Sequence, residues 1–289
     1  MPKFYTWETH CEAYLSCLKD VIAAPIKTPS VVGKTATAAR LSSVDALLIT
    51  DIDNTLLGDD DGLRQLLELL RSNHGRFGFG IASGRALELI EEVLHEHGIH
   101  DIDVIVAAVG AEIYYGRDLE PDKGWASRLR HRWYPNRIRE ALAELPFVAM
   151  QAEPHTQREF KLSYDLSNDM PDSEALPLIH AALDKTRSAY SLIFSHGSFI
   201  DILPHRASKG KAVRYLAQKW NLPLERIATA GDSGNDRDML TGQTAGIVVG
   251  NHSDELADLK DSGSRIYFAN GNCANGILDG LEHFGLLRR

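Results

Sequence analysis

Two aspartates with one residue between them, Asp51 and Asp53, follow an apolar run at 46–50. Such a run predicts a strand buried on both faces, and the carboxyl ends of parallel strands border the crevice where open α/β sheets bind ligands. If the strand continued, both carboxylates would lean towards one spot, because residues two apart point the same way. Carboxylates that close repel each other, and a divalent cation usually holds them. The alternative is an acidic turn, since Asp and Asn are common turn residues.

Two further segments place groups that could hold an anion at the start of a predicted helix. Ser83 and Gly84 follow a second apolar run, and a hydroxyl with free backbone N–H groups can cradle an anion there. Lys209, followed by Gly210, opens another helix, although the helix dipole favours carboxylates at that end. A plain turn and a solvated lysine are the alternatives.

A glycine-rich acidic segment, Gly231–Asp236, follows a later predicted strand. It contains Asp232 and Asp236, four residues apart, with glycines that permit a tight turn. Carboxylate oxygens are the hard ligands that Mg²⁺ prefers, and the acidic spacing of an EF-hand calcium loop is absent. We therefore expect the four segments to converge on one crevice that holds Mg²⁺.

Together these segments resemble the four motifs of the haloacid-dehalogenase-type phosphatases, in the same order, over residues 46–289. The resemblance implies that Asp51 attacks phosphorus and becomes an aspartyl-phosphate, while Asp53 acts as general acid and then as general base. It implies that Ser83 and Lys209 hold the phosphoryl oxygens.

The same resemblance implies a Mg²⁺ site. Its ligands would be the Asp51 side chain, the backbone carbonyl of Asp53 and Asp232, with Asp236 nearby.

Residues 117–206 lie between the second and third motifs, where the sugar-phosphatase branch of these enzymes carries a large α/β cap. Within that branch the chain is most similar to the sucrose-phosphate phosphatases, in Val109–Tyr114, Lys161–Tyr164 and Phe199–Pro204. Ala111 stands where Thr is common in this family. The implied substrate is a sugar phosphate, sucrose 6-phosphate. The residues that we expect to contact substrate are Gly84, Gly110, Glu112, Lys161 and Asn235.

Alternating strands and helices predict an α/β fold whose core is a doubly wound, mostly parallel, Rossmann-like sheet. The predicted core strands lie at 46–50, 77–82, 103–108, 111–115, 226–230 and 244–249, and the core helices at 62–73, 85–97, 209–220 and 274–283. Mixed elements predict an inserted α/β cap: helices at 125–145 and 172–186, and strands at 147–150, 159–164, 190–194 and 199–203. We expect a core of residues 46–116 and 207–289 and a cap of residues 117–206.

Composition excludes several classes of function. The chain has 289 residues, a formal net charge of −9 and 44% hydrophobic residues. The negative charge argues against long-range attraction to nucleic acid or to an anionic membrane, and no apolar run is long enough to span one. Three cysteines provide neither a disulfide framework nor metal-ligand spacing, so we expect a reducing cytoplasm. A basic run at 128–132 could face the phosphate or solvent, and we expect solvent.

Residues 1–45 stand outside this pattern, and helical spacing at 6–22 followed by a Pro-rich stretch predicts a helix and a linker. The segment Tyr5–His10, followed by Tyr14 and Leu15, resembles the end of the glucosyltransferase domain in sucrose-phosphate synthases. That likeness implies a synthase glucosyltransferase domain as a partner. An ordinary docking helix is the alternative.

Three other functions compete with a sucrose 6-phosphate phosphatase. One is the same chemistry on a related sugar phosphate, such as mannosylfructose phosphate. Another is a catalytically idle module that binds sugar phosphate and regulates a synthase, although such modules often lose a motif carboxylate and none is missing here. A phospho-acceptor receiver domain also uses an acidic pocket with a lysine, but it is too small to need this cap.

Overall fold

The computed structural model describes residues 40–167, 169–195, 197–262 and 265–287, which form a sheet of eight strands and a sheet of four. The larger sheet contains β1 (Ala46–Thr50), β2 (Phe77–Ala82), β3 (Val104–Ala107), β4 (Glu112–Tyr115), β5 (Glu120–Pro121), β10 (Ile227–Gly231), β11 (Ala245–Val248) and β12 (Ile266–Phe268). The smaller contains β6 (Val148–Met150), β7 (Leu162–Leu166), β8 (Tyr190–Ser195) and β9 (Phe199–Pro204). The helices are α1 (Asp60–Ser72), α2 (Leu87–Glu96), α3 (Lys123–Leu129), α4 (Pro135–Ala143), α5 (Asp172–Lys185), α6 (Lys209–Trp220), α7 (Arg237–Leu240) and α8 (Cys273–His283).

The larger sheet is doubly wound around β1. Its strand order is β12-β11-β10-β1-β2-β3-β4-β5, parallel from β12 to β3 and antiparallel at the β4 and β5 edge. The chain leaves β1 towards β2 on one side and later returns to fill the other side with β10. Such a reversal of strand order opens a crevice at the carboxyl ends of the strands. The predicted α/β class with a mostly parallel sheet is confirmed.

Strand β1 is buried on both faces, as its unbroken apolar run predicts. Leu47 and Ile49 belong to an apolar cluster that includes one side of α6, whereas Ala46 and Leu48 pack in a second cluster with α1 and α8. None of these four side chains is more than 3% exposed. Burying a Leu or Ile side chain contributes roughly 1.5–3 kcal/mol, so this packing stabilises β1. It therefore fixes the backbone position of Asp51, which follows the strand directly.

The smaller sheet confirms an α/β insertion between the two halves of the core. Its strands are antiparallel in the order β6-β7-β9-β8, and α4 packs against α5 beside them. Two predicted elements are wrong within this insertion.

The single helix predicted at 125–145 is instead α3 and α4. Arg132 adopts a left-handed φ of 56°, and Pro135 begins a new helix because it lacks the N–H needed inside one. The strand predicted at 159–164 starts only at Leu162. Gln157 forms a bridge to Leu162, and Arg158 N donates to Lys161 O at 2.8 Å, which closes a turn across the predicted strand start.

The helix predicted at 6–22 and residues 23–39 of the linker predicted to reach residue 45 lie outside the described residues. The end of that linker is described and packs on the core: Leu41 is fully buried, and Arg40 pairs with Asp103 at 2.6 Å. Among the helices that are described, none combines the length and apolar character required to cross a membrane.

Gly110 allows the turn between β3 and β4 to touch the start of α6. Its φ is +86°, and a Cβ at this position would lie 2.3 Å from the carbonyl carbon of Ser208. Trp125 Nε1 donates to Gly110 O at 3.0 Å, which fixes the turn from its other side. The position of Lys209 therefore depends on a residue without a side chain at 110.

Asp122 ties α3 to α6 inside the protein. Its buried carboxylate accepts hydrogen bonds from Trp125 N at 2.9 Å, Tyr215 Oη at 2.9 Å and Lys219 Nζ at 2.7 Å, and another from Tyr115 Oη. Burial alone raises the pKa of Asp122, but the hydrogen bonds from Lys219 and Tyr115 outweigh it and leave the pKa below its ordinary value.

We expect Gly110→Ala to destabilise the protein by about 2–4 kcal/mol, because left-handed strain adds to a backbone clash. Gly98→Ala is the matched control, since Gly98 has a φ of +65° and no atom within 4 Å of an added Cβ. Urea unfolding measures both variants. Equal losses would show that only the backbone angle matters at 110.

We expect Asp122→Asn to lower the free energy of unfolding near pH 7 by about 1–3 kcal/mol. Because the folded pKa is depressed, the stabilisation is complete above the unfolded value of about 3.9 and is lost as pH falls through the folded pKa. The difference between wild type and variant should therefore shrink between about pH 4 and the folded pKa. Urea titrations at several pH values measure it, with exposed Asp118→Asn as control. A difference that does not change with pH would contradict the lowered pKa.

Candidate active site

Polar side chains that follow two adjacent strands, β1 and β10, meet a side chain from one helix at the carboxyl edge of the larger sheet. Asp51 follows β1, Asp232 follows β10, and Asp236 lies in the turn beyond it. One carboxylate oxygen from each of these three residues lies within 4.8 Å of the others. Lys209, the first residue of α6, reaches the same point, 158 residues away from Asp51 along the chain.

Lys209 is the buried cation of this cluster. Its side chain has no exposed surface, and its ammonium group donates to Asp51 Oδ1 at 2.9 Å, Asp236 Oδ1 at 2.7 Å and Asn235 Oδ1 at 3.0 Å. Burial by itself lowers the pKa of Lys209, but the carboxylates of Asp236 and Asp51 raise it above its ordinary value. The lysine is therefore protonated, and each of its three N–H bonds has an acceptor.

Burial and mutual repulsion destabilise the ionised forms of Asp51 and Asp232. Burial raises the pKa of Asp51 to about 6 despite the nearby Lys209, and the Asp236 carboxylate adds to the increase. Burial also raises the pKa of Asp232, against a hydrogen bond from Thr55 Oγ1 at 3.0 Å. When ionised, three carboxylates and one ammonium group leave two uncompensated negative charges. The donor set and its charge therefore fit a divalent cation.

The turn that carries Asp236 explains the glycine in its motif. Asp236 Oδ2 accepts from the backbone N–H of Asp232 at 3.1 Å and of Ser233 at 3.3 Å. A Cβ on Gly231 would lie 2.4 Å from the Cβ of Asp236, so only glycine fits at 231. The turn thus holds the Asp236 carboxylate against both Lys209 and the end of β10.

Asp53 stands apart from the buried cluster. Strand β1 ends at Thr50, so the alternation that would aim Asp51 and Asp53 to the same side does not extend this far. The Asp53 side chain is about half exposed, and its carboxylate accepts from Arg85 Nε at 2.9 Å and Nη2 at 2.8 Å. The structure therefore gives Asp53 a cationic partner that the sequence reasoning did not assign.

Ser83 and Gly84 follow β2 at the same edge of the sheet. Ser83 is 1% exposed, and its hydroxyl accepts from Arg85 N at 3.2 Å. Gly84 has room for a side chain, since an added Cβ would meet only Val109 Cγ2 at 3.8 Å. Lack of space therefore does not explain why position 84 is a glycine, and its contact with substrate stays a prediction.

A cavity of about 800 Å³ borders the cluster at Lys209, although none of Asp51, Asp232 and Asp236 lines it. Lys209 and Asn235 line it from the core, and Ile193, Phe194 and Ser195 of β8 line it from the insertion. Periodicity predicts β8 as a strand but cannot show that its end reaches over the core. These three residues were therefore missed.

The other predicted substrate-binding residues form ion pairs or pack against the backbone. Glu112 accepts from Arg158 at 2.8 and 2.9 Å, and Lys161 pairs with Asp201 at 3.0 Å. Gly110 packs on the backbone of Ser208, as described above. Among the described residues that line the 800 Å³ cavity, neither Glu112 nor Lys161 appears. Their contact with substrate stays a prediction.

Two partners of the site could have been suspected from the motifs themselves. Thr55, which binds Asp232, lies two residues after Asp53. Arg85, which binds Asp53, follows Ser83 and Gly84 directly. Their proximity to the motifs in sequence indicates that both lie near the site, but it does not indicate which side chains they bind.

Comparison with known proteins places this geometry in a family. A tobacco (Nicotiana tabacum) protein named sucrose-phosphatase 1 is 31% identical over 264 residues, which is 86% of this chain and 60% of the relative. The chain thus spans about three fifths of the length of that relative. Mannosylfructose-phosphate phosphatase from Agrobacterium fabrum is 30% identical and is covered over 97% of its length by 83% of this chain.

A solved structure is similar in both sequence and fold. The sucrose-phosphatase from Synechocystis, determined in complex with sucrose and phosphate, is 31% identical with a TM-score of 0.74. The match covers 84% of this chain and 98% of that one. The sequence profile of the sucrose-6F-phosphate phosphohydrolases matches residues 44–285. The chain therefore belongs to the sucrose-6F-phosphate phosphohydrolase family.

Proposed function

We propose that this protein is a Mg²⁺-dependent phosphatase that hydrolyses sucrose 6-phosphate to sucrose and phosphate. The observation that carries the proposal is the buried cluster of Lys209 with Asp51 and Asp236 at the strand ends, beside a cavity that Lys209 lines together with residues of the core and the insertion. Family membership and the sucrose and phosphate bound by the Synechocystis relative support the substrate.

Asp51 is the proposed nucleophile. An oxygen of its carboxylate forms a bond to phosphorus while the bond from phosphorus to the sugar oxygen breaks, which leaves an aspartyl-phosphate. Lys209 at 2.9 Å favours the ionised carboxylate that this attack requires. Because β1 is buried on both faces, the nucleophile is held in one position for in-line attack.

Asp53 is the proposed acid and base. In its protonated form it gives a proton to the departing sugar oxygen, and as carboxylate it then takes a proton from the water that cleaves the aspartyl-phosphate. Arg85 now donates two hydrogen bonds to this carboxylate, so proton donation requires that pair to separate. Ser83, with its buried hydroxyl, is the proposed donor to a phosphoryl oxygen.

The residues proposed to hold Mg²⁺ are Asp51, Asp232 and Asp236 through their side chains and, by family resemblance, Asp53 through its backbone carbonyl. When bound, Mg²⁺ would neutralise charge on the phosphoryl group. Thr55 keeps one Asp232 oxygen oriented by a hydrogen bond at 3.0 Å.

The sugar would occupy the cavity of about 800 Å³, a volume within the range of small-molecule sites. Asn235 and Ser195 offer hydrogen bonds, and Phe194 offers an apolar wall. A mannosylfructose phosphate is the second candidate, because the Agrobacterium relative of that name is covered over 97% of its length. The retained carboxylates Asp51, Asp232 and Asp236 favour an enzyme over a regulatory module.

The domain boundaries belong to the same proposal: a core of 46–116 and 207–289, and a cap of 117–206, of which the short strand β5 pairs with β4 in the core sheet. Residues 1–45 are proposed as a helix and linker, and a synthase glucosyltransferase domain is the proposed partner. The cysteine content, which offers no disulfide framework, favours the cytoplasm.

Phosphate release from a panel of sugar phosphates with Mg²⁺ tests the function. We expect a clear preference for sucrose 6-phosphate, and about a 10³-fold or greater loss of kcat in Asp51→Asn because the nucleophile is removed. Exposed Asp118→Asn is the control. Preference for mannosylfructose phosphate would keep the mechanism and change the substrate. If no sugar phosphate in the panel releases phosphate, the proposed enzyme is refuted and the regulatory module remains as the alternative.

We expect Lys209→Met to destabilise the Mg²⁺-free protein by about 3–5 kcal/mol, since it leaves buried carboxylates uncompensated. Mg²⁺ should then raise Tm more in this variant than in wild type, because the cation neutralises those charges. Lys123→Met is the matched control, since Lys123 also opens a helix but is exposed. Thermal unfolding with and without Mg²⁺ measures both. A Lys209→Met protein as stable as the control would refute the charge argument.

A further inference from the structure

A second cavity, of about 870 Å³, shares no lining residue with the 800 Å³ cavity beside Lys209. Its walls come from α3, from the segment between β9 and α6, and from α6 itself. We call it the basic cavity because its lining includes Arg128, Arg206, Lys211 and Arg214 and no carboxylate.

Three of these cations lack a carboxylate partner among the described residues. Arg214 pairs with Asp238, which lines the 800 Å³ cavity and whose pKa is also lowered by the charge of Lys211. No described carboxylate lies within ion-pair distance of Arg128, Arg206 or Lys211, and the basic run at 128–132 thus places at least Arg128 at a cavity rather than on a plain surface. The chain has a formal net charge of −9, so this positive cluster is opposite in sign to the charge of the whole protein.

Backbone carbonyls hold two of these cations at the cavity without neutralising them. Arg206 Nη1 donates to Arg128 O at 3.2 Å, and Lys211 Nζ donates to His205 O at 2.6 Å. Like charges at one site repel each other, and an anion between them would relieve that repulsion. The arrangement therefore orients the cations for a ligand while leaving their charge available.

The wall behind the cations is rigid. The rings of Trp125 and Tyr215 lie 5.0 Å apart; the Trp125 indole donates to Gly110 O, and the Tyr215 hydroxyl donates to the buried Asp122. Gly124 packs closely here, since an added Cβ would lie 2.6 Å from Tyr215 Oη. A preformed wall reduces the ordering cost of binding.

We propose that the basic cavity binds a small anion that carries one or more phosphate groups. Guanidinium groups match phosphate oxygens in pairs, and a lysine adds a point charge. Ser127 and Gln218 also line the cavity and offer neutral hydrogen bonds. The bound anion would connect α3 and the segment after β9 to α6, the helix that begins with Lys209. This site is distinct from the proposed catalytic cavity and goes beyond the proposed phosphatase activity.

Isothermal titration with inorganic pyrophosphate, without Mg²⁺, tests the proposal. The test variant is Arg128→Gln with Arg206→Gln. The control is Arg130→Gln with Arg187→Gln, which removes the same charge from arginines that are exposed and do not line the cavity. We expect the Kd for pyrophosphate to rise about tenfold or more in the test variant and to stay unchanged in the control. Binding at the catalytic cavity would remain in both, and the thermal unfolding of both variants verifies their fold.

Equal affinity in the two double variants, or no binding to wild type, would overturn the proposal. If the test variant fails to fold, Lys211→Gln against exposed Lys123→Gln makes the same comparison with one charge. Inorganic phosphate is a second probe: equal affinity for it identifies a single phosphate group as the ligand, and preference for pyrophosphate identifies a ligand with more. No turnover is measured, so failure here leaves the proposed hydrolysis untouched.

Discussion

A protonated lysine buried among carboxylates organises the candidate site. Removing an ammonium group from water is costly, and Lys209 offsets that cost only because Asp51, Asp236 and Asn235 accept all three of its N–H bonds. The carboxylates depend equally on the lysine, since burial already raises the pKa of Asp51. Neither partner is stable in place without the other. The correct docking of α6 on the sheet is therefore a condition for the site to exist.

That docking rests on contacts outside the cluster. Ser208 caps α6 by accepting from Lys211 N at 3.0 Å, Gly110 lets the β3–β4 turn lie against the Ser208 backbone, and Asp122 joins α3 to the far end of the helix. The insertion is tied to the core by Arg158, whose guanidinium binds both Glu112 and Glu88. Both cavities border the first half of α6, so one helix connects the catalytic cluster, the insertion and the basic cavity.

Local pattern predicted most of the elements and part of the site. The apolar run before Asp51 predicts a buried strand correctly, and the glycines around Asp232 predict the tight turn that brings Asp236 back to it. The errors have local causes as well. Pro135 ends a helical pattern that apolar spacing alone would continue, and a turn closed between Arg158 and Lys161 occupies the predicted start of β7. These failures arise where backbone chemistry overrides periodicity.

The sequence by itself determined every described strand except the short β5 and β12, the order of the four motifs and the family that they resemble, because periodicity and motif spacing are properties of neighbouring residues. Only the tertiary structure decided which side chains meet. Lys209 and Asp51 are 158 residues apart, Arg85 takes the carboxylate of Asp53, and Phe194 reaches the catalytic cavity from the insertion. The basic cavity likewise combines α3, the end of β9 and α6. Such partnerships follow from how buried surfaces pack, and the energies that select them act between segments distant in sequence.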